Sequence, residues 1–127
     1  MSPVVIDSTI LIDHLRGLPE ASAVIDGAPD QGLRPSASVV TKTEVLRGMR
    51  SGERRAVREL LSVITWLPVD EPIADLAGEY GRIYRASHTG IDLADYLIAA
   101  TAMRADAALW TRNVKHFPMF DGLEAPY

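Results

Sequence analysis

A three-layer α/β/α fold, with helices on both faces of a mostly parallel sheet of four or five short strands, is what this sequence predicts. Three observations carry the prediction. Apolar runs too short for helices recur along the chain, at Val4 to Ile6, Leu33 to Ser38, Trp66 to Val69 and Ala107 to Trp110, and turn-forming residues bound them, which is how buried strands read. Between them lie segments whose apolar residues return every three or four positions, the period of a helix with one buried face. One of these, Asp92 to Met103, is rich in alanine, so it can lie close against a sheet. Strands alternating with helices imply parallel pairing, because each crossover lays a helix over a face of the sheet. With 127 residues, 47% of them hydrophobic and 24% charged, the chain reads as a single domain, 1–127, large enough to bury a core without staples.

The elements follow in order. Val4-Val5-Ile6 is the first strand and stops at Asp7-Ser8-Thr9. Ile10, Leu11, Leu15 and Leu18 then mark one side of a helix, with Gly17 and Pro19 as its stop, and a short second helix is expected over Glu20 to Asp26. Gly27 to Gly32 is a turn by composition and leads into the strand Leu33 to Ser38. Ser38 is placed to cap a helix reaching about Met49, with Val39, Val45, Leu46 and Met49 as its apolar set and Glu44 in its middle. From Glu53 to Ile64 the apolar positions are Val57, Leu60, Leu61 and Ile64, with arginines on the other side, before the strand Trp66 to Val69. A long helix is expected from Glu71 to about Ser87, and Gly90 stands where a left-handed residue closes it. After the alanine-rich helix come the strand Ala107 to Trp110, the turn Thr111-Arg112-Asn113 and a helical turn over Val114 to Phe117. The tail Asp121 to Tyr127 has room for one last edge strand at most.

No apolar run reaches the roughly 18 residues of a membrane span, and the start Met-Ser-Pro-Val-Val-Ile-Asp lacks the basic and apolar regions of a secretory signal. The absence of cysteine excludes disulfides, Cys-bearing zinc sites and thiol nucleophiles. The expected setting is the cytoplasm, away from membrane.

Charge is more informative once located. Thirteen basic against 17 acidic residues leave −4, which by itself disfavours a polyanionic substrate. Yet Arg47, Arg50, Arg54, Arg55 and Arg58 face only Glu53 within their window, a local +4 that leaves −8 for the rest. All basic residues except Lys42 and Lys115 are arginines, whose planar fork suits phosphate or carboxylate. Such a run reads equally as a solvated helix face.

In an open parallel sheet, ligands bind at the carboxyl ends of the strands, where strand order reverses. Asp7 ends the first strand there, and Thr111 to Asn113 leave the last one. Asp92 and Asp95 are three apart at a helix start, on one side of its first turn. If these side chains and Glu44 converge, they form a set of hard oxygen ligands without His or Cys, which suits Mg2+ or Mn2+ and not zinc. Each acid also has a plainer explanation. Asp7 can cap the helix after it, Asp92 suits a helix N-terminus through the dipole, and Glu44 can be a surface glutamate. Asp95, followed by the apolar Leu97-Ile98-Ala99-Ala100, is least easily explained that way. His14, His88 and His116 show no ligand spacing, and His116 reads as a surface or capping residue.

Four segments carry a resemblance. Val-Val-Ile-Asp-Ser-Thr-Ile-Leu-Ile-Asp (Val4 to Asp13), Thr-Lys-Thr-Glu-Val-Leu-Arg-Gly (Thr41 to Gly48), Asp-Leu-Ala-Asp-Tyr-Leu-Ile-Ala-Ala-Thr-Ala (Asp92 to Ala102) and Leu-Trp-Thr-Arg-Asn-Val-Lys-His-Phe (Leu109 to Phe117) resemble, in order and separation, the signature blocks of PIN domains. More narrowly, they look like the VapC toxins of bacterial toxin–antitoxin pairs. The resemblance implies a Mg2+- or Mn2+-dependent endoribonuclease that cuts structured RNA of the translation machinery, arrests growth, and is held inactive by a cognate VapB antitoxin. By it, Asp7, Glu44 and Asp95 match the family's metal-binding acids, Asp92 is an auxiliary, and Asn113 stands where many members hold an aspartate. That departure keeps an oxygen ligand but removes a charge from any second metal site. The implied reaction is attack of a metal-activated water on the scissile phosphorus, expelling the 3′ oxygen and leaving a 5′ phosphate.

Arg112, Arg47 and Arg50 are candidates for gripping the RNA backbone, and Ser8 and Thr111 for holding a water or phosphate. A homodimer is expected from the family, with operator DNA reached only through the antitoxin; tRNA and ribosomal RNA are both family precedents as substrates. A haloacid-dehalogenase-like phosphatase needs a second aspartate where Thr9 stands, and a receiver domain needs paired acids and a lysine that are missing. The remaining alternative is a PIN-fold protein that binds RNA with little cleavage. The four acids contribute −4, the whole net excess, so an acidic chain is compatible with an RNA-cutting site that needs its metal before phosphate approaches.

Overall fold

The computed structural model describes residues 1–127. The first strand, β1 (Ser2–Ile6), sets the layers by its period of two: Val4 and Ile6 are fully buried on one side of the sheet and Val5 on the other. It pairs in parallel with β2 (Leu33–Ser38), Val5 standing opposite Ser36, and with β4 (Ala108–Trp110), Ile6 opposite Trp110. The short strand β3 (Thr65–Leu67) adds to the outer side of β2, giving the order β3-β2-β1-β4, all parallel. The chain thus builds outward from β1 in one direction and then returns to its other side. That reversal opens a crevice at the carboxyl ends of β1 and β4.

Six helices cover the sheet. Val4, Ile6 and Ala37 share a core with α1 (Ser8–Leu15), α2 (Pro19–Gly27), Val45 of α3 (Val39–Arg47) and Val57 and Leu60 of α4 (Arg54–Ser62). On the opposite face, Val5 and Leu109 pack with Ile98, Ala99 and Ala102 of α6 (Leu93–Arg104) and with Phe117, just after the 3-10 turn Val114–His116. The alanines place α6 against the sheet as their size predicts. Outside α6 lies α5 (Glu71–Tyr84), which contributes Ile73 and Ala77 to a third cluster around Tyr96.

The expected three layers are present, with local differences that have physical causes. The sheet has four strands, within the four or five expected, and residues 121–127 form none. Pro19, expected as a stop, also opens α2 from its first position, where no amide donor is required. The third strand lies earlier than Trp66 to Val69 because Pro68 interrupts it. The long helix ends at Tyr84, before Ser87, and Gly90 takes φ +88° in the connection to α6. Ser38 does cap α3, its hydroxyl accepting from the amide of Val40 at 3.1 Å.

Candidate active site

Asp7 stands at the hinge of the crevice. Its amide donates to the carbonyl of Trp110 at 2.9 Å, lacing the end of β1 to the end of β4. It occupies the N-cap position of α1, yet its carboxylate caps nothing. Instead Oδ2 accepts from the Thr9 hydroxyl at 2.9 Å and the Thr111 hydroxyl at 2.8 Å, while Oδ1 makes no hydrogen bond. Asp7 is only 3% exposed. Thr111, fully buried, also accepts from the Asn113 amide at 2.9 Å, and Thr9 accepts from the Arg112 amide at 3.2 Å. The turn after β4 is therefore folded around the first aspartate.

Asp92 and Asp95 form a reciprocal capping box at the start of α6. Asp92 Oδ1 accepts from the Asp95 amide at 3.1 Å, and Asp95 Oδ2 from the Asp92 amide at 3.2 Å. The same Asp95 oxygen lies 3.0 Å from His116 Nδ1, which is 2.9 Å from the Asn113 amide group. A proton on Nδ1 serves the carboxylate, and the Asn113 amide then presents its oxygen to the ring, since its two ends exchange by a half-turn. Asp95 Oδ1 remains free.

Glu44 approaches from α3. Its Oε1 is buried without a partner. Desolvation pushes the Glu44 pKa up, and the charge of Asp7 adds to this; the Ser8 hydroxyl opposes it, and Asp92 and Asp95 raise it further. Burial likewise raises Asp95, against the bond from the Asp92 amide, with Asp92 and Asp7 raising it and His116 opposing. Four acids thus repel one another with no arginine or lysine bonded to any of them.

The structure brings Asp7, Glu44, Asp92 and Asp95 into one electrostatic neighbourhood, with Asn113 and Ser8 at its edge. In the present rotamers no three His, Cys, Asp or Glu side chains close into a ready ligand cage. Mg2+ does not demand one, because it dehydrates reluctantly and is commonly held by one or two carboxylates plus its own waters. The donor set fits such an ion: Asp7 and Asp95 each have one oxygen anchored by the protein and one free, and Glu44 has an oxygen orphaned in a buried position. None of the three cavities of the molecule is lined by any of the four acids.

Other expected residues lie differently. Thr111 is beneath the site with its hydroxyl committed to Asp7, which leaves it no free face for water or phosphate. Arg47 and Arg50 are exposed near the end of α3 and bonded to none of the acids through their side chains. Arg112 is exposed at the rim. His116, read from sequence as a surface or capping residue, is a half-buried partner of Asp95, and Thr9 is a second anchor of Asp7. Both lie inside the quoted motif blocks: His116 reaches Asp95 in another block, whereas Thr9 bonds Asp7 in its own block and accepts from the Arg112 amide across blocks.

Residues 4–121 match the model of the PIN domain family. Ribonuclease VapC19 of Mycobacterium tuberculosis is 47% identical over 122 residues, covering 96% of this chain and 98% of the relative. Ribonuclease VapC10 of the same organism is 47% identical over 125 residues, covering 98% and 92%. Among solved structures, a toxin–antitoxin complex from Klebsiella pneumoniae contains a chain with TM-score 0.81 and 28% identity, with 98% of each chain covered.

Proposed function

The chain belongs to the PIN-domain family, and from that premise we propose that it is a VapC-type toxin: a metal-dependent endoribonuclease that cuts structured tRNA or ribosomal RNA and thereby inhibits translation. The observation that carries this reading is the paired state of the carboxylates at the crevice, each of Asp7 and Asp95 anchored through one oxygen and open through the other, with the orphaned Glu44 oxygen beside them. Such an arrangement costs stability through repulsion and desolvation, and a divalent cation relieves both.

Asp7, Glu44 and Asp95 would hold Mg2+ or Mn2+, with Asp92 completing the shell through waters and Asn113, its oxygen turned to His116, steadying that ring. Bound there, the ion supplies positive charge to phosphate oxygens and lowers the pKa of a water. The chain's own residues do the rest. Thr9 and Thr111 hold the Asp7 carboxylate in one orientation, and the Asp92 amide with His116 does the same for Asp95. The unbonded oxygens would then be available to an ion with little reorganisation cost. No side-chain nucleophile is required, and the Thr9 and Thr111 hydroxyls are committed to Asp7.

The partner reading draws on the relatives. A cognate VapB antitoxin fits this site chemically, because an inserted arginine would satisfy the same unpaired acids. Operator DNA would be reached only through that antitoxin, in the cytoplasm. A homodimer is supported by α5, whose exposed side carries Glu71 and Asp75 near one end and Arg82 and Arg85 at or just beyond the other, with Gly78 between. Two such helices running antiparallel across a two-fold axis would set acids against arginines.

Total cellular RNA incubated with the pure protein should be cut in Mg2+ and left intact in EDTA. Asp7→Asn, Glu44→Gln and Asp95→Asn should each remove cleavage and relieve growth arrest while circular dichroism remains unchanged. Cleavage that survives in Asp95→Asn or in EDTA would sink the assignment. RNA binding without any cleavage in Mg2+ would return the chain to a binding module.

A further inference from the structure

Arg112 leaves the turn after β4 between two residues tied to the acids. Thr111, before it, donates to Asp7; Asn113, after it, lies against His116, the partner of Asp95. The amide of Arg112 itself donates to Thr9 at 3.2 Å. Its backbone is therefore fixed relative to the crevice, yet its side chain is exposed and takes part in no ion pair. The guanidinium lies 4.3 Å over the centre of the Tyr127 ring.

Tyr127 is held in its turn. Its hydroxyl donates to Asp13 Oδ2 of α1 at 2.6 Å, across 114 positions of sequence, and its ring packs on the core cluster beneath α1. Burial and Asp13 push the Tyr127 pKa up to about 12, with Arg112 opposing, so the hydroxyl remains a donor at any physiological pH. This geometry has a chemical consequence. A ring face holds a guanidinium by its plane and leaves the N–H edge open, and that edge is the fork that matches a phosphate. Asp13, occupied by the tyrosine hydroxyl, is anchored at that bond and does not close on the arginine as an ion pair.

Resting on the ribonuclease reading above, we propose that Tyr127 and Asp13 form a clamp that orients Arg112 as a phosphate-binding arm at the rim of the acidic crevice, where it grips the RNA backbone next to the phosphate that is cut. Tyr127 and Asp13 are positioning residues: they act through Arg112. Holding the side chain in advance spares the rotamer entropy that a free arginine loses on binding. It also sets one fixed positive charge beside a group of negative ones, which a polyanion needs in order to approach.

Steady-state cleavage of total tRNA in Mg2+ tests the clamp. Arg112→Ala should raise KM about tenfold, the loss expected of one charge-assisted phosphate contact, and more than it lowers kcat. Tyr127→Ala should raise KM in the same direction, Tyr127→Phe should recover part of that loss because it keeps the ring but frees Asp13 to compete for the guanidinium, and Tyr127→Ala should add nothing in an Arg112→Ala background. A purely structural role for Tyr127 would instead give additive effects. The Nε–Hε proton resonance of Arg112 supplies a readout independent of turnover: it should be ring-shifted in the wild type and in Tyr127→Phe, and ordinary in Tyr127→Ala. An unshifted wild-type resonance, or a KM loss in Tyr127→Ala that persists in the double variant, would overturn the clamp. Unchanged KM throughout with weakened VapB binding would assign the arm to the antitoxin and equally overturn it. If the wild type fails to cut RNA at all, the ribonuclease reading fails separately, and equilibrium binding of labelled tRNA then reads the same variant pattern.

Discussion

Glu44 and Glu53 belong to the same stretch of chain and have opposite electrostatic fates. Glu53 is satisfied: one oxygen accepts from the Arg50 amide at 2.7 Å and the other from Arg16 at 2.6 Å, and these bonds, the amide first, hold its pKa below the usual glutamate value. Glu44 is buried with an orphaned oxygen among like charges, and its pKa is raised. Glu53 ties the end of α1 to the segment before α4. Glu44 is a cost to the fold that the proposed cation would relieve. Two carboxylates of the same type are thus told apart by what their neighbours leave undone: one is bonded at both oxygens, and the other is the candidate for function.

The largest expected effect tests the functional half of this contrast. Loss of any one of Asp7, Glu44 or Asp95 should take RNA cleavage below detection, whereas Glu53→Gln should leave cleavage per folded molecule intact. Next comes the support beneath the acids. Thr111→Val keeps the shape but frees Asp7 Oδ2, and should lower Mg2+ affinity or activity by about 10- to 100-fold, as losses of groups that orient metal ligands do. Titration calorimetry with Mg2+ separates that loss from a folding defect.

Smaller effects concern stability and pH, and their signs differ. Glu53 has a lowered pKa in the folded protein, so its contribution is present at neutral pH and is lost as pH falls through that depressed value. Glu53→Gln should accordingly lower Tm at pH 7, with a difference that fades in acid. For Glu44 the folded state binds its proton more tightly than the unfolded chain does, so stability falls as pH rises from the ordinary glutamate value of 4.5 through the raised one. Glu44→Gln should therefore raise the Tm of the metal-free protein slightly at pH 7, and the gain should vanish below the ordinary value. A destabilised Glu44→Gln at pH 7 without metal would break the comparison.

Much of the fold was legible because its signals are local. The β-branched run at Val4 to Ile6, the alanines of α6 and the serine cap of α3 each state their structure within a few residues. Whether the tail adds an edge strand was not legible, because its last residue is placed by nonlocal contacts: Tyr127 bonds Asp13 and lies against Arg112. The principal acids were legible through the motif blocks that contain them. His116 was not, because its role is a bond to Asp95, 21 positions away in another block; Thr9 stands out in the sequence only as the missing second aspartate of a phosphatase, although its bond to Asp7 is local.

By itself the sequence determined the alternation of strands and helices, the hard-oxygen character of the site and the end of the sheet at which the acids fall, since these depend on periodicity, residue type and chain order. Only the tertiary structure decided which oxygen of each carboxylate is anchored and which is left open, and that Arg112 rests on Tyr127 beside them. Those outcomes depend on distances between segments far apart in the chain, which close only when the crevice between β1 and β4 has formed.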